Sequence, residues 1–168
     1  MDFDDVFDAF YPPLRRYCHR LAGDPDVGDD VAQEAFVRLL EKKPDGADGK
    51  LRSWLFTVAT HLIRDGVRVS ENRRRLLAGN PVLPSSFPDP DESVVREERA
   101  DAARRALESL DPRERKILLL REEGLSYREV AEAVGVAPSS VGTLLARARK
   151  RFAQVFREQE GWDEPPTE

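Results

Sequence analysis

The side chains best placed to do chemistry in this chain are hydrogen-bonding groups and cations rather than nucleophiles. Ser139, Thr143, Arg147, Lys150 and Arg151 recur at helical spacing, short hydroxyls first and cations after. Hydroxyls of this kind pair with base edges, whereas guanidinium and ammonium groups neutralise phosphates. From Pro138 to Arg157 the charged residues are Arg147, Arg149, Lys150, Arg151 and Arg157, with no acid among them. In a chain of net charge −5, a stretch kept free of acid points to a polyanion. Catalytic options are few by contrast. His19, His61 and Cys18 are the only imidazoles and thiol, and there is no Gly-rich phosphate loop or metal-spaced cluster, so neither an enzyme nor a cofactor is expected.

These side chains need a scaffold, and the preceding residues supply one. Ser126 and Glu129 have the form of a capping box, which starts a short helix with Val130, Ala131 and Val134 on its apolar side. Gly135 allows a sharp turn, and Pro138 suits the first position of a second helix. Val141, Leu144, Leu145, Ala148 and Phe152 form one buried stripe of that helix. The pattern is a helix-turn-helix, whose second helix enters the major groove with its N-terminal residues against base edges. Two bundled amphipathic helices with solvated cations are the competing reading.

The rest of the chain is also helical in pattern. Phe3, Val6, Phe7 and Phe10 make a stripe that Leu14, Tyr17, Cys18 and Leu21 continue, with a kink or break expected at Pro12-Pro13. A turn at 22–26 leads to a helix from about Gly28 to Lys42. Val31, Ala32, Ala35, Phe36, Leu39 and Leu40 are expected inside it, with Asp30, Gln33, Glu34 and Glu41 outside. After a loop at 43–49 comes a helix from about Leu51 to Val69, with Leu51, Trp54, Leu55, Val58 and Leu62 inward and Thr57, Thr60, His61, Arg64 and Arg68 outward. It runs into Arg73, Arg74 and Arg75. Residues 76–98 carry Pro81, Pro84, Pro88 and Pro90 and read as a linker. A helix from about Val94 to Leu110 follows, then a second capping box at Asp111-Pro112-Arg113-Glu114 opening a helix that Gly124 stops.

The fold class is therefore all-α. Two helical domains, 1–75 and 99–157, are joined by a flexible Pro-rich linker, 76–98; the C-terminal one is a helix-turn-helix, and 158–168, with Trp162, reads as a disordered tail. No run of about 18 apolar residues exists for membrane insertion. The acidic start is unlike a secretory signal, and a lone Cys18 suits a reducing cytoplasm. Cys18-His19 reads as core and loop. The excess of acid could serve a protein partner or suppress nonspecific DNA binding.

Residues 29–40 (Asp-Asp-Val-Ala-Gln-Glu-Ala-Phe-Val-Arg-Leu-Leu), residues 51–59 (Leu-Arg-Ser-Trp-Leu-Phe-Thr-Val-Ala) and the helix-turn-helix, taken together, resemble bacterial sigma factors of the extracytoplasmic-function group. The likeness covers residues 3 to 156. It implies a sigma factor that binds core RNA polymerase and directs it to promoter DNA. Asp29, Asp30, Gln33 and Glu34 would match the segment that docks on the clamp helices of the largest subunit, while the C-terminal domain would meet the polymerase flap. Phe56, Thr60, His61, Arg64, Arg68, Arg73, Arg74 and Arg75 would open and read the −10 element, the arginines on phosphate and the others around an extruded base. His61 departs from the Asn usual there, and an imidazole lacks a carboxamide's paired donor and acceptor. Ser139, Ser140, Gly142, Thr143 and Arg147 would face the −35 duplex, with Arg149, Lys150 and Arg151 nearer the backbone. Many relatives carry a longer side chain where Gly142 stands. A cognate anti-sigma factor is compatible with the resemblance. The alternative is an ordinary helix-turn-helix regulator with an N-terminal dimerisation or sensing domain, which would leave the Arg64–Arg75 stretch without a task.

Overall fold

The computed structural model describes residues 2–42, 44, 48–76 and 93–160, the side chains of 48, 67–76, 93–95 and 160 excepted. The described residues form α1 (Phe3–Ala22), α2 (Pro25–Lys42), α3 (Asp48–Leu76), α4 (Ser93–Glu108), α5 (Pro112–Glu122), α6 (Tyr127–Val134) and α7 (Pro138–Glu160), with no strand among them. The all-α expectation is met. Of the expected linker, 77–92 lie outside the described residues, while Ser93 to Glu98 already belong to α4. Residues 158–160 finish α7, and the rest of the expected tail, Trp162 included, also lies outside.

Of the kink or break expected at Pro12 and Pro13, the break does not occur, and α1 runs through both. Each removes an N–H and crowds the preceding turn, so packing must hold the chain helical on both sides of them. Phe3, Phe7 and Tyr11 surround Phe36 of α2, with ring centroids 6.2, 5.1 and 5.7 Å away. Beyond the prolines, Leu14, Tyr17 and Cys18 are fully buried. Asp2 caps the start by accepting from the Phe3 N–H at 2.7 Å, and Gly23, at φ 68°, closes the end.

α2 begins at Pro25, earlier than Gly28, because the Asp24 carboxylate accepts from the Asp26 and Val27 N–H groups at 2.9 and 3.3 Å. Gly28 marks the crossing with α1. A Cβ there would lie 2.8 Å from the His19 backbone nitrogen, so only glycine permits the approach. Leu40, expected inside, is 49% exposed.

The largest revision concerns α3. Its buried residues are Leu55, Phe56, Ala59, Thr60 and Ile63, one position on from most of the expected stripe, a rotation of roughly 100°. Leu51, Trp54 and Val58 are partly buried against the same core. The helix is covered by α1 and α2 and also by α6, so its apolar surface is wider than one stripe. A buried pair sets the rotation: the Tyr17 hydroxyl lies 2.7 Å from the Thr60 hydroxyl, which also donates to the Phe56 carbonyl at 2.7 Å.

In the C-terminal half, Asp111 caps α5 by accepting from the Arg113 N–H at 2.9 Å. Glu114, read as the other half of that capping box, is buried and lies 3.9 Å from Arg147 instead. The two halves are in contact through α3 on α6 and α1 on α5. Their buried residues form one hydrophobic cluster running from Val6 to Ala148.

Candidate nucleic-acid interface

The helix-turn-helix is assembled by local hydrogen bonds. The Ser126 hydroxyl accepts from the Glu129 N–H at 3.2 Å, and the Glu129 carboxylate accepts from the Ser126 N–H at 2.6 Å. Both halves of the capping box are thus in place, and two orphan donors of α6 are satisfied. Gly135 takes φ 77° and returns its N–H to the Ala131 carbonyl at 2.8 Å. Val141, Leu145 and Ala148 then bury α7 along one side.

That burial leaves the opposite side open. Ser139, Ser140, Thr143, Arg147, Arg149, Lys150 and Arg151 are all exposed. Ser139, Ser140 and Thr143 line an open groove of about 550 Å³ together with Arg113 at the start of α5. Arg113 was missed in the sequence because it sat inside a capping signal. It brings a cation to the hydroxyl end of α7. Two of the expected cations are partly engaged within the protein: Arg147 faces Glu114, and the Arg151 guanidinium donates to the Ser109 carbonyl at 3.2 Å.

Gly142 is half-buried beside Tyr127. A Cβ there would lie 3.6 Å from Cε2 of Tyr127. The Tyr127 ring is itself 45% exposed, with the Arg121 guanidinium 5.2 Å from its centroid. Tyr127 is a second residue that the sequence pattern did not single out.

On α3 only part of the expected −10 set reaches the surface. His61 and Arg64 are exposed, Arg64 donating to Asp65 at 3.3 Å. Phe56 and Thr60 are corrected: they are 0% and 2% exposed, turned inward by the rotation of the helix and held by Tyr17. Neither can touch a base from there. Arg68, Arg73, Arg74 and Arg75 lie within α3, but their side chains are outside the described residues. Lys116 of α5 is held below the usual lysine range, first by burial and then by Arg64, Arg115 and Arg113.

The acidic strip on α2 also divides. Asp30, Gln33 and Glu34 are exposed beside Val37 and Leu40, which are 46% and 49% exposed, giving a mixed apolar and acidic surface suited to a partner helix. Glu34 accepts from Arg38 at 2.9 Å along the same helix. Asp29 is corrected. It faces α1, where Arg15 Nε and His19 Nε2 each lie 2.6 Å from its carboxylate. The Arg15 hydrogen bond, then the His19 one, holds its pKa down at about 2.

Among the described residues, no group of His, Cys, Asp or Glu could hold a metal ion, and no helix is long and apolar enough to cross a membrane. Burial pushes the Cys18 thiol up to about 12.

Comparison with known proteins agrees with this layout. Residues 6–74 match the family described as Sigma-70 region 2, and residues 100–152 match Sigma-70, region 4. The chain is 27% identical to RNA polymerase sigma factor YlaC of Bacillus subtilis, covering 94% of this chain and 95% of that one. It is 31% identical to the ECF RNA polymerase sigma factor SigE of Mycolicibacterium smegmatis, over 89% of this chain and 60% of SigE. In fold it is similar to the sigma factor RpoE of Bartonella quintana, solved in complex with the anti-sigma factor NepR, with a TM-score of 0.71, 22% identity and coverage of 97% and 99%. The chain belongs to the sigma-70 family, among relatives of the extracytoplasmic-function group.

Proposed function

We infer that this protein is a sigma factor: it binds core RNA polymerase and directs promoter-specific initiation, without catalysis of its own. One observation supports this most. A single chain carries, in the family's order, an exposed acidic and apolar strip on α2, an exposed His61–Arg64 surface on α3 and an open helix-turn-helix face on α7.

Asp30, Gln33 and Glu34, with Val37 and Leu40, form the polymerase-binding strip. Asp29 contributes indirectly, by fixing α2 on α1. His61, Arg64 and the arginines at 68 and 73–75 act at the −10 element, where captured bases offset an unpairing cost of a few kcal/mol each. Ser139, Ser140 and Thr143 read the −35 duplex, and Arg113, Arg149 and Lys150 hold its phosphates. The protein works in the cytoplasm, where its polymerase and DNA are. A cognate anti-sigma factor is a further partner consistent with this reading, since the similar RpoE was solved with one.

Gel filtration with core RNA polymerase tests the proposal. Co-elution is expected, weakened in a Gln33→Ala/Asp30→Ala variant, together with run-off transcription from a promoter library. A protein that ignores the polymerase yet shifts duplex DNA alone would be an ordinary regulator.

A further inference from the structure

One buried charge in the C-terminal half has no task in the site described so far. Glu114 stands in the first turn of α5, where a capping-box carboxylate would reach back to the N-cap N–H. Asp111 caps α5 without that return bond. The Glu114 side chain, 8% exposed, instead enters an open groove of about 410 Å³ beside α7, which Asp111 and Lys150 also line. There its Oε1 lies 3.9 Å from Arg147 Nε. A carboxylate is costly to bury without a cation near it, and Arg147 supplies one. Glu114 thus meets Arg147 at Nε, the inner nitrogen of the guanidinium, while the Arg147 side chain is 65% exposed. One turn on, Arg151 is met in the same way, its Nε donating to the Ser109 carbonyl at 3.2 Å. A guanidinium is a planar fork, so an acceptor behind Nε fixes its plane and leaves the edge formed by its two terminal amines for a group outside. Arg147 also continues the line of Ser139 and Thr143 in steps of four residues, on the same exposed side of α7.

We propose that Glu114 is a positioning residue: from inside the protein it orients Arg147 so that both terminal amines meet one phosphate of duplex DNA. Such an end-on pair is the contact that a guanidinium makes well and an ammonium cannot. Arg151, held through the Ser109 carbonyl, follows one turn further along as a second oriented cation. The proposal rests on the reading that this side of α7 lies on duplex DNA. Its consequence is opposite in sign to simple charge counting. Removing a carboxylate from beside DNA lowers repulsion and by itself tightens binding. Removing a carboxylate that orients Arg147 should weaken binding instead.

The test uses the full chain and a short duplex of random sequence, because a phosphate contact is blind to sequence. Binding is followed by fluorescence anisotropy across salt concentrations. Arg147→Ala should weaken binding and lower the salt slope by about one. Glu114→Gln should weaken it about fivefold, the scale of one net hydrogen bond, and should add nothing in the Arg147→Ala background. In the free protein the Arg147 Nε–H, observed by NMR of the nitrogen-labelled chain, should be rigid, and it should become mobile in Glu114→Gln. Circular dichroism checks that helix content is kept. Should Glu114→Gln fail that check, Glu114→Asp, which keeps the charge and loses the reach, takes its place with the same outcome expected. Tighter or unchanged binding by the variant would overturn the proposal. So would an equal loss in the Arg147→Ala background, or an Arg147 Nε–H already mobile in the parent. A parent chain that binds no duplex at low salt would overturn the reading of the α7 face and the proposal with it, a failure distinct from those seen only in the variants.

Discussion

The two regions proposed to face DNA are built by different means. The helix-turn-helix is defined within about thirty residues by its own capping box, a left-handed glycine and an N-terminal proline. The α3 surface has no such local definition. Which of its side chains reach solvent depends on Tyr17, forty-three positions away, hydrogen-bonding to Thr60. A recognition surface set by local signals is legible in sequence, whereas one set by the rotation of a helix with several neighbours is not.

The largest expected effect would break or confirm that contrast directly. Phe56→Ala should cost the fold ~3–5 kcal/mol, the usual result of emptying a fully buried aromatic site, seen as a lower midpoint in urea denaturation. A surface stacking residue would leave stability intact and weaken only −10 recognition. Finding that pattern would undo the rotation assigned to α3.

Next come the two roles on the helix-turn-helix face, best measured on −35 duplexes across salt concentrations. Thr143→Ala should lose ~1–3 kcal/mol of binding and alter base preference. Arg149→Ala should weaken all sequences alike and lower the salt slope by about one. The contrast with α3 sharpens if neither change shifts the unfolding midpoint.

Smaller still is the loss of a local device. Ser126→Ala removes half of the capping box and should cost ~1 kcal/mol, read as a lower thermal midpoint. Duplex affinity should fall with it, because the same cap sets the angle of α6 beneath the reading helix.

The smallest effect concerns the α1–α2 crossing and is a matter of pH. Asp29 is held near 2 by Arg15 and His19, below its ordinary value of 3.8. A depressed carboxylate stabilises the fold above its unfolded pKa, and that contribution disappears as pH falls through the folded value. Its share should therefore be complete above about pH 5 and vanish between pH 4 and 2. Asp29→Asn should flatten acid unfolding, followed by circular dichroism, in that window. An unchanged acid profile would show that the Arg15 and His19 contacts contribute nothing in solution.

Much of this protein followed from its sequence alone. Heptad-like apolar spacing made it all-α, and Ser126, Glu129, Gly135 and Pro138 set out the helix-turn-helix because each acts on backbone groups within a turn or two of itself. The hydroxyl-then-cation order on α7 came from the same helical period. Tertiary structure decided the rest, wherever a residue answers to distant neighbours. Aromatic packing on Phe36 and the buried run from Leu14 carried α1 through two prolines. Covering α3 from both sides turned Phe56 and Thr60 inward and left His61 and Arg64 outside. Arg15 and His19 drew Asp29 away from the strip it shares with Asp30. The grip of Arg16 on Glu123, 107 residues apart, has no sequence signature, because two opposite charges declare nothing until folding brings them together.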